Sequence, residues 1–199
     1  MLKRIVLTLL AFYAIMIGKT VDEYLQELKS LSDTQSAFLV ASYVAGKEHD
    51  LGYTLASIVW KESSFGKFLI NKKDGKYGSF GLAQILLQTA LKRNNINPKD
   101  KKARDQLINR LITDHKFNLT EAIKELLYWK KQYKNVKKSR WWYLHMVASY
   151  NAGWKGFKSK SGERYFKDIS KRTKALKIFF KNKKYWNNFL RKYQTDISK

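Results

Sequence analysis

The sequence predicts a mainly α fold of the α+β type, in which one glycine-rich segment interrupts a series of helices. Apolar residues recur at helical intervals almost everywhere beyond residue 20. Four glycines fall within residues 66–81, among lysines and aspartate, which is typical of a loop or short hairpin. Of the 199 residues, 44% are hydrophobic and 15% aromatic, so the chain can bury a sizeable core.

Residues 1–20 have the pattern of a secretory signal peptide. Lys3 and Arg4 precede an apolar run over residues 5–18, and Lys19 follows it. As a helix this run would span about 21 Å, which is less than the ~30 Å hydrocarbon core of a bilayer. We therefore expect an exported protein, periplasmic or associated with the cell wall, without a membrane span once the signal is cleaved. A buried N-terminal helix and an uncleaved anchor are the alternatives.

Apolar spacing and capping residues predict the first three helices. Residues 21–31 carry apolar side chains at three- and four-residue intervals. Asp33 is a candidate N-cap for a second helix, which Gly46 would end. A third, strongly apolar helix is predicted from about Thr54 to Glu62.

Helical spacing resumes after the glycine-rich segment. Residues 84–93 and 103–115 are predicted to be helical, with a break around Pro98. Thr120 is a candidate cap for a helix that reaches Tyr133.

The last part of the chain is also predicted to be helical. A helix over residues 139–151 should end at Gly153, since glycine readily adopts the left-handed conformation of a helix end. Residues 158–199 combine Lys and Arg with aromatic residues at helical spacing, which predicts a basic aromatic C-terminal helical extension packed on the preceding domain. The predicted division is thus a signal peptide over 1–20, a domain over 21–157 and this extension.

The charge balance favours an anionic partner. The chain has 40 Lys and Arg against 16 Asp and Glu, a formal net charge of +24. Nucleic acid, an anionic membrane face and an acidic cell-wall polymer would all attract it, while a merely solvated Lys-rich surface is the alternative. Because we expect export, no nucleic-acid partner is expected. The absence of cysteine excludes disulfides and thiolate chemistry, and the three histidines lack zinc-site spacing, so no metal or cofactor is expected.

Three short motifs stand in order along the chain. They are Glu62-Ser63-Ser64-Phe65, Gly78-Ser79-Phe80-Gly81-Leu82-Ala83-Gln84-Ile85 and Ala148-Ser149-Tyr150-Asn151-Ala152-Gly153. In these motifs and their order the sequence resembles the SLT-type lytic transglycosylases of the lysozyme-like superfamily. Asn118 and the helix after it resemble the Asn-led helix of that family. The resemblance covers roughly residues 54–156.

The resemblance implies a lysozyme-like domain that cleaves the β-1,4 bond between N-acetylmuramic acid and N-acetylglucosamine in peptidoglycan. By this resemblance Glu62 acts first as acid and then as base, and the 6-hydroxyl of the muramic acid closes on C1 to give a 1,6-anhydro product. Ser63 and Tyr150 match positions that orient the acid or contact the substrate. Gly81 and Gln84 match positions that line the cleft.

The chemistry itself favours a carboxyl group at the end of an apolar helix. Cleavage of a glycosidic bond requires a proton on the leaving oxygen as the sugar becomes oxocarbenium-like. A carboxylic acid supplies that proton near neutral pH only if its pKa is raised, most simply by burial. Glu62 follows Ile58-Val59-Trp60, so we expect its carboxyl group at the floor of a cleft.

Departures from the family pattern leave the shape of the sugar subsites open. Gly66-Lys67 replaces the usual Asn-Pro, Ala83 replaces the Met of the second motif, and Trp154 replaces the common Pro after the third. Within the cluster around residues 141–143, Trp142 is the candidate for stacking on a sugar face.

Two other functions remain open at this point. Asp74 is the only acid between Glu62 and Gly81, so a muramidase-type hydrolase with two carboxylates is one alternative. A basic module that binds the cell wall or nucleic acid with little activity is the other. Beyond peptidoglycan glycan strands, anionic wall polymers or a secretion apparatus are the partners considered.

Overall fold

The computed structural model describes residues 18–134, 139–181 and 183–194. The predicted signal peptide lies outside these ranges up to residue 17. The helices, numbered along the described residues, are α1 (Val21–Lys29), α2 (Asp33–Lys47), α3 (Gly52–Ser63), α4 (Leu87–Arg93), α5 (Lys101–Thr113), α6 (His115–Tyr133), α7 (Ser139–Ala152), α8 (Lys160–Phe179) and α9 (Lys183–Gln194). The short strands are β1 (Ile70–Asn71), β2 (Ser79–Phe80) and β3 (Ile85–Leu86), and a 3-10 helix spans Gly153–Lys158. The prediction of a mainly α fold with a small β element is confirmed.

Capping boxes start the first two helices. The hydroxyl of Thr20 accepts a hydrogen bond from the backbone N–H of Glu23, whose carboxylate accepts one from Thr20 N–H. Ser32 and Gln35 exchange the same pair of bonds at the start of α2. The predicted cap, Asp33, is therefore wrong by one residue: it is the first residue of the helix.

The glycine-rich segment folds into a three-stranded antiparallel sheet in the order β1-β2-β3. Ile70 pairs with Phe80, and Phe80 pairs with Ile85. The helix predicted over residues 84–93 begins only at Leu87, because Gln84 has a left-handed φ of +48° and the next two residues pair with β2.

The helix predicted to start at Thr120 starts earlier. Asp114 caps α6, since its carboxylate accepts a hydrogen bond of 2.8 Å from Phe117 N–H. Thr120 lies inside this helix and donates its hydroxyl to the carbonyl of Lys116. Serine and threonine can satisfy either arrangement, which is why the sequence alone misplaced the cap.

Helix α3 lies at the centre of the fold. Its side chains Leu55, Ile58 and Val59 are completely buried, and the helix packs against α2 on one side and α8 on another. Helix α8 also packs against α1 and α7, while α9 packs against α2. The end of α3 is therefore enclosed by elements from both halves of the chain. None of the helices in the described ranges combines the length and the apolar character that crossing a membrane requires.

Candidate active site

The end of α3 is a tight left-handed turn. Ser64, Phe65 and Gly66 have φ values of +51°, +53° and +85°. Such a conformation is costly for residues other than glycine, so surrounding contacts must hold it. The Phe65 ring is buried and stacks on Trp60 with centroids 5.7 Å apart, and a Cβ on Gly66 would lie 2.7 Å from the Phe38 ring.

Ser63 fixes this turn from inside. Its side chain is fully buried, and its hydroxyl donates to the carbonyl of Val59 and accepts from Gly66 N–H at 3.0 Å. Both bonds are local and hold the turn that follows Glu62, so a positioning role for Ser63 stays a prediction. Contact with substrate, the other predicted role, has no support in this arrangement.

Glu62 is half-buried at the last turn of α3. Its Oε1 accepts a hydrogen bond of 2.6 Å from the hydroxyl of Tyr165. Burial raises the pKa of Glu62 to about 7, and the charge of Asp74 adds to this rise. The Tyr165 hydroxyl, Lys61 and Arg172 act in the opposite direction but do not outweigh burial. A carboxyl group with this pKa can hold and release a proton near neutral pH.

Tyr165 is the site residue that the sequence reasoning missed. It lies on α8, inside the segment predicted as a C-terminal extension, and is 5% exposed. Burial and the neighbouring charge of Glu62 raise the pKa of Tyr165 well above its ordinary value, so the hydroxyl stays a donor. In the sequence, Tyr165 shares the apolar face of α8 with Ile169 and Leu176. This pattern predicts that its side chain points inward, but it does not identify Glu62 as its partner.

Tyr150 joins the second and third motifs. Its hydroxyl donates a 2.8 Å hydrogen bond to the backbone carbonyl of Ala83. Burial and the charges of Glu62 and Glu125 raise the pKa of Tyr150 well above its ordinary value. The structure thus brings Tyr150 into the electrostatic neighbourhood of Glu62, although the hydrogen bond to the acid comes from Tyr165.

Gly81 and Gln84 of the second motif make contacts inside the protein. A Cβ on Gly81 would lie 2.0 Å from the Asn118 amide nitrogen and 2.2 Å from the carbonyl of Leu111. Asn118 is fully buried and bridges Ala83 N–H, the Phe80 carbonyl and the Leu111 carbonyl; its three bonds are 2.9–3.1 Å long. Gly81 therefore allows close packing of Asn118 and the Leu111 backbone against it, within the protein interior.

The Gln84 amide is also committed to the protein. It donates to the carbonyls of Phe68 and Gly81 and accepts from the hydroxyl of Ser79, and the side chain is 8% exposed. Gln84 was predicted to line the cleft, but its side chain faces the protein interior.

Two grooves lie near these residues. The first, which we call the basic groove, has a volume of about 780 Å³ and includes Lys61 and Tyr165, the neighbours of Glu62. The second, the aromatic groove, has a volume of about 490 Å³. It lies between the sheet region, α4 and α6, and its lining includes Tyr77, Tyr128, Trp129, Trp154, Lys92 and Arg93. Trp154 is 67% exposed there and packs edge-on against Trp129.

Trp142 lies apart from both grooves. It is eight residues from Tyr150 on α7, about 12 Å along the helix axis. The ammonium group of Lys130 lies 5.4 Å from its ring centroid. Its predicted contact with sugar stays a prediction, and Trp154 is the exposed tryptophan that lines a groove.

The titratable side chains of the described residues are spread over the fold. No group of three or more His, Cys, Asp or Glu side chains there could hold a metal ion. The arrangement around Glu62 offers acid–base chemistry by a single carboxyl group, which Tyr165 contacts and whose charge acts on Tyr150.

Comparison with known proteins agrees with this geometry. The model of the transglycosylase SLT domain matches residues 47–173, which include all three motifs and Tyr165. A curated relative from Enterobacteria phage T4, an uncharacterized 20.7 kDa protein in the vs-regB intergenic region, is 29% identical over 128 residues, or 64% of this chain. The match spans 63% of that protein, less than two thirds of its length. No solved structure matches the chain. Since the family match covers well over half of the sequence, the chain belongs to the transglycosylase SLT domain family.

Proposed function

We propose that this protein is a peptidoglycan lytic transglycosylase in which Glu62 is the general acid and base. The observation that carries the proposal is the half-buried Glu62 carboxyl group, whose pKa is raised to about 7 and whose neighbours Lys61 and Tyr165 line a groove. Membership of the SLT family supports peptidoglycan as the substrate class.

The proposed reaction needs one carboxyl group and no water. Protonated Glu62 gives its proton to the O4 oxygen of the leaving N-acetylglucosamine as the bond from C1 of N-acetylmuramic acid breaks. The 6-hydroxyl of the same muramic acid then bonds to C1 and returns its proton to the Glu62 carboxylate. The products are a free 4-hydroxyl end and a 1,6-anhydro end, and the enzyme is regenerated.

Tyr165 and Tyr150 serve this cycle in different ways. The Tyr165 hydroxyl orients the carboxyl group and stabilises its ionised form after proton transfer. The Tyr150 hydroxyl fixes the backbone of Ala83, in the second motif. In this proposal neither tyrosine gives up its own proton, because the pKa of each is raised.

The aromatic groove is the proposed glycan-binding surface, and two residues of its lining, Glu125 and Arg93, act electrostatically on Tyr150. Aromatic faces bury the apolar sides of sugars, and Trp154 is the most exposed aromatic residue there. Trp154→Ala should weaken binding to glycan strands about tenfold, with little change in the free energy of unfolding. Trp141→Ala, at another exposed tryptophan that lines neither groove, is the matched control and should bind like the wild type.

Purified sacculi test the activity directly. The wild type should release muropeptides that carry anhydro ends, lighter by one water than reducing ends, as read by mass spectrometry. Glu62→Gln should fold normally and release none. Glu48→Gln changes an exposed glutamate just beyond α2 and should keep full activity. Activity retained by Glu62→Gln would refute the assignment of the acid.

A muramidase-type hydrolase is the second candidate, and one observation favours it. Asp74 lies in the turn between β1 and β2, and its charge acts on Glu62. A hydrolase would use it to activate water on the opposite face of the sugar. Reducing ends in the products, together with loss of activity in Asp74→Asn, would establish this reaction in place of the first.

Export of the protein to the cell wall is the localisation that this function requires. We propose that residues 1–20 serve as the signal, as their sequence pattern predicts. N-terminal sequencing of the protein recovered from the periplasmic or wall fraction tests this proposal, because an intact N-terminus would contradict cleavage.

A further inference from the structure

The basic groove is strongly positive. Five cations beyond the proposed signal peptide line it: Lys61, Arg164, Lys167, Lys171 and Arg172; Lys19, inside that peptide, also borders the groove. The only carboxylate among its lining residues is Asp168, which bonds both Lys61 and Arg172. Glu27 pairs with Lys19 and Glu163 pairs with Lys167. Within the described part of the chain, two of these groove cations, Arg164 and Lys171, therefore make no ion pair.

Both of these cations are on α8, where their charges also act on the carboxylates of Glu163 and Glu23. Arg164 is exposed and makes no ion pair with a described residue, and the ammonium group of Lys171 donates only to the backbone carbonyl of Lys19. Together with Lys167 they stand at intervals of three and four residues, so the three share one face of the helix. This row is about 10 Å long from Arg164 to Lys171.

The groove begins beside the acid. Lys61 precedes Glu62, and Tyr165, which bonds Glu62, follows Arg164. In peptidoglycan, the muramic acid whose C1 bond is cleaved carries a peptide stem on its O3 oxygen. A strand placed for cleavage at Glu62 thus has the start of a stem within about one sugar ring of the acid.

We propose that the basic groove binds the carboxylates of this peptide stem, an inference that rests on the proposed function. An extended stem of three to four residues spans about 10–13 Å, which matches the row from Arg164 to Lys171. Free carboxylates recur along such a stem, so the row supplies cations where the ligand has anions. The exposed Asn151 and Ser161 in the same wall are suited to hydrogen bonds with peptide groups.

The test compares substrates with and without stems. The double variant Arg164→Gln with Lys171→Gln removes the two groove cations that make no ion pair and leaves Glu62 and Tyr165 in place. Lys174→Gln, also exposed on α8 but outside the basic groove, is the matched control. We expect kcat/KM on sacculi that carry stems to fall about fivefold to tenfold in the double variant, as is typical for two partly exposed charge contacts. On glycan strands stripped of stems by an amidase, kcat/KM should be unchanged.

A binding measurement separates this inference from the proposed function. A free stem tripeptide should bind the wild type by calorimetry and lose binding in the double variant, while the same peptide with amidated carboxylates should not bind. This result would support the stem site even if no glycan cleavage were found. Equal loss on stripped and stem-bearing strands, or an unchanged rate on both, would overturn it. Tighter binding of a single-stranded oligonucleotide at the same groove would also overturn it.

Discussion

Replacing the acid should make the protein more stable, and by an amount that depends on pH. In Glu62→Gln the neutral amide takes the place of a carboxyl group that burial keeps protonated. The pKa of Glu62 rises from an ordinary value of 4.5 to about 7. Since one pKa unit corresponds to about 1.36 kcal/mol, the ionised Glu62 costs the fold about 3 kcal/mol.

The sign follows from proton linkage. Between pH 4.5 and about 7 the folded protein binds the Glu62 proton more tightly than the unfolded chain does. The free energy of unfolding of the wild type therefore falls as pH rises through this window. Below it both states are protonated at this group and the wild type should match Glu62→Gln. Above it the variant should be more stable by about 3 kcal/mol.

Urea unfolding over a range of pH measures this difference. The wild type and Glu62→Gln are compared at each pH, so that contributions from other titrating groups largely cancel. Glu48→Gln, at an exposed position, should track the wild type throughout. Parallel curves for the wild type and Glu62→Gln across the range would refute the reasoning, because they would mean that the pKa of Glu62 is not raised by folding.

Three further outcomes are expected. The kcat/KM of the wild type on sacculi should fall above about pH 7, since Glu62 must carry its proton. In Tyr165→Phe this fall should move to higher pH, because a hydrogen bond that lowers the pKa of Glu62 is lost, and the maximal rate should drop about tenfold. An unchanged pH profile would mean that Tyr165 has only a packing role. Gly81→Ala should lower the free energy of unfolding by about 3 kcal/mol or more, because its Cβ would overlap Asn118. Gly153 has a φ of +57° but open space around it, so Gly153→Ala should lower the free energy of unfolding by only about 1–2 kcal/mol. Similar losses in both glycine variants, measured by thermal unfolding, would contradict the overlap.

The sequence predicted the helical fold and the place of Glu62 at the end of an apolar helix, because both depend on local patterns. Apolar spacing located α3 to within two residues at its start and one at its end. The three motifs meet in space as expected, with Tyr150 bonded to Ala83 and close enough to influence Glu62.

The contacts between distant elements were not predictable in the same way. The bond from Tyr165 to Glu62 joins residues 103 positions apart, and no local pattern at either end identifies the other. For Ser63, Gly81 and Gln84, motif spacing gave the positions but not the direction of the side chains. Each of them is committed to the protein interior once the left-handed turns around residues 64–66 and 84 are formed.

The dependence of Glu62 on α8 has a consequence for synthesis in the cell. While a ribosome has made only the first 157 residues, every motif is present, but Tyr165 and the wall that α8 adds over the end of α3 are missing. The carboxyl group is then hydrated and behaves as an ordinary surface acid. The raised pKa of Glu62 should therefore appear only once α8 has been made, and products that end before α8 should lack the proposed activity.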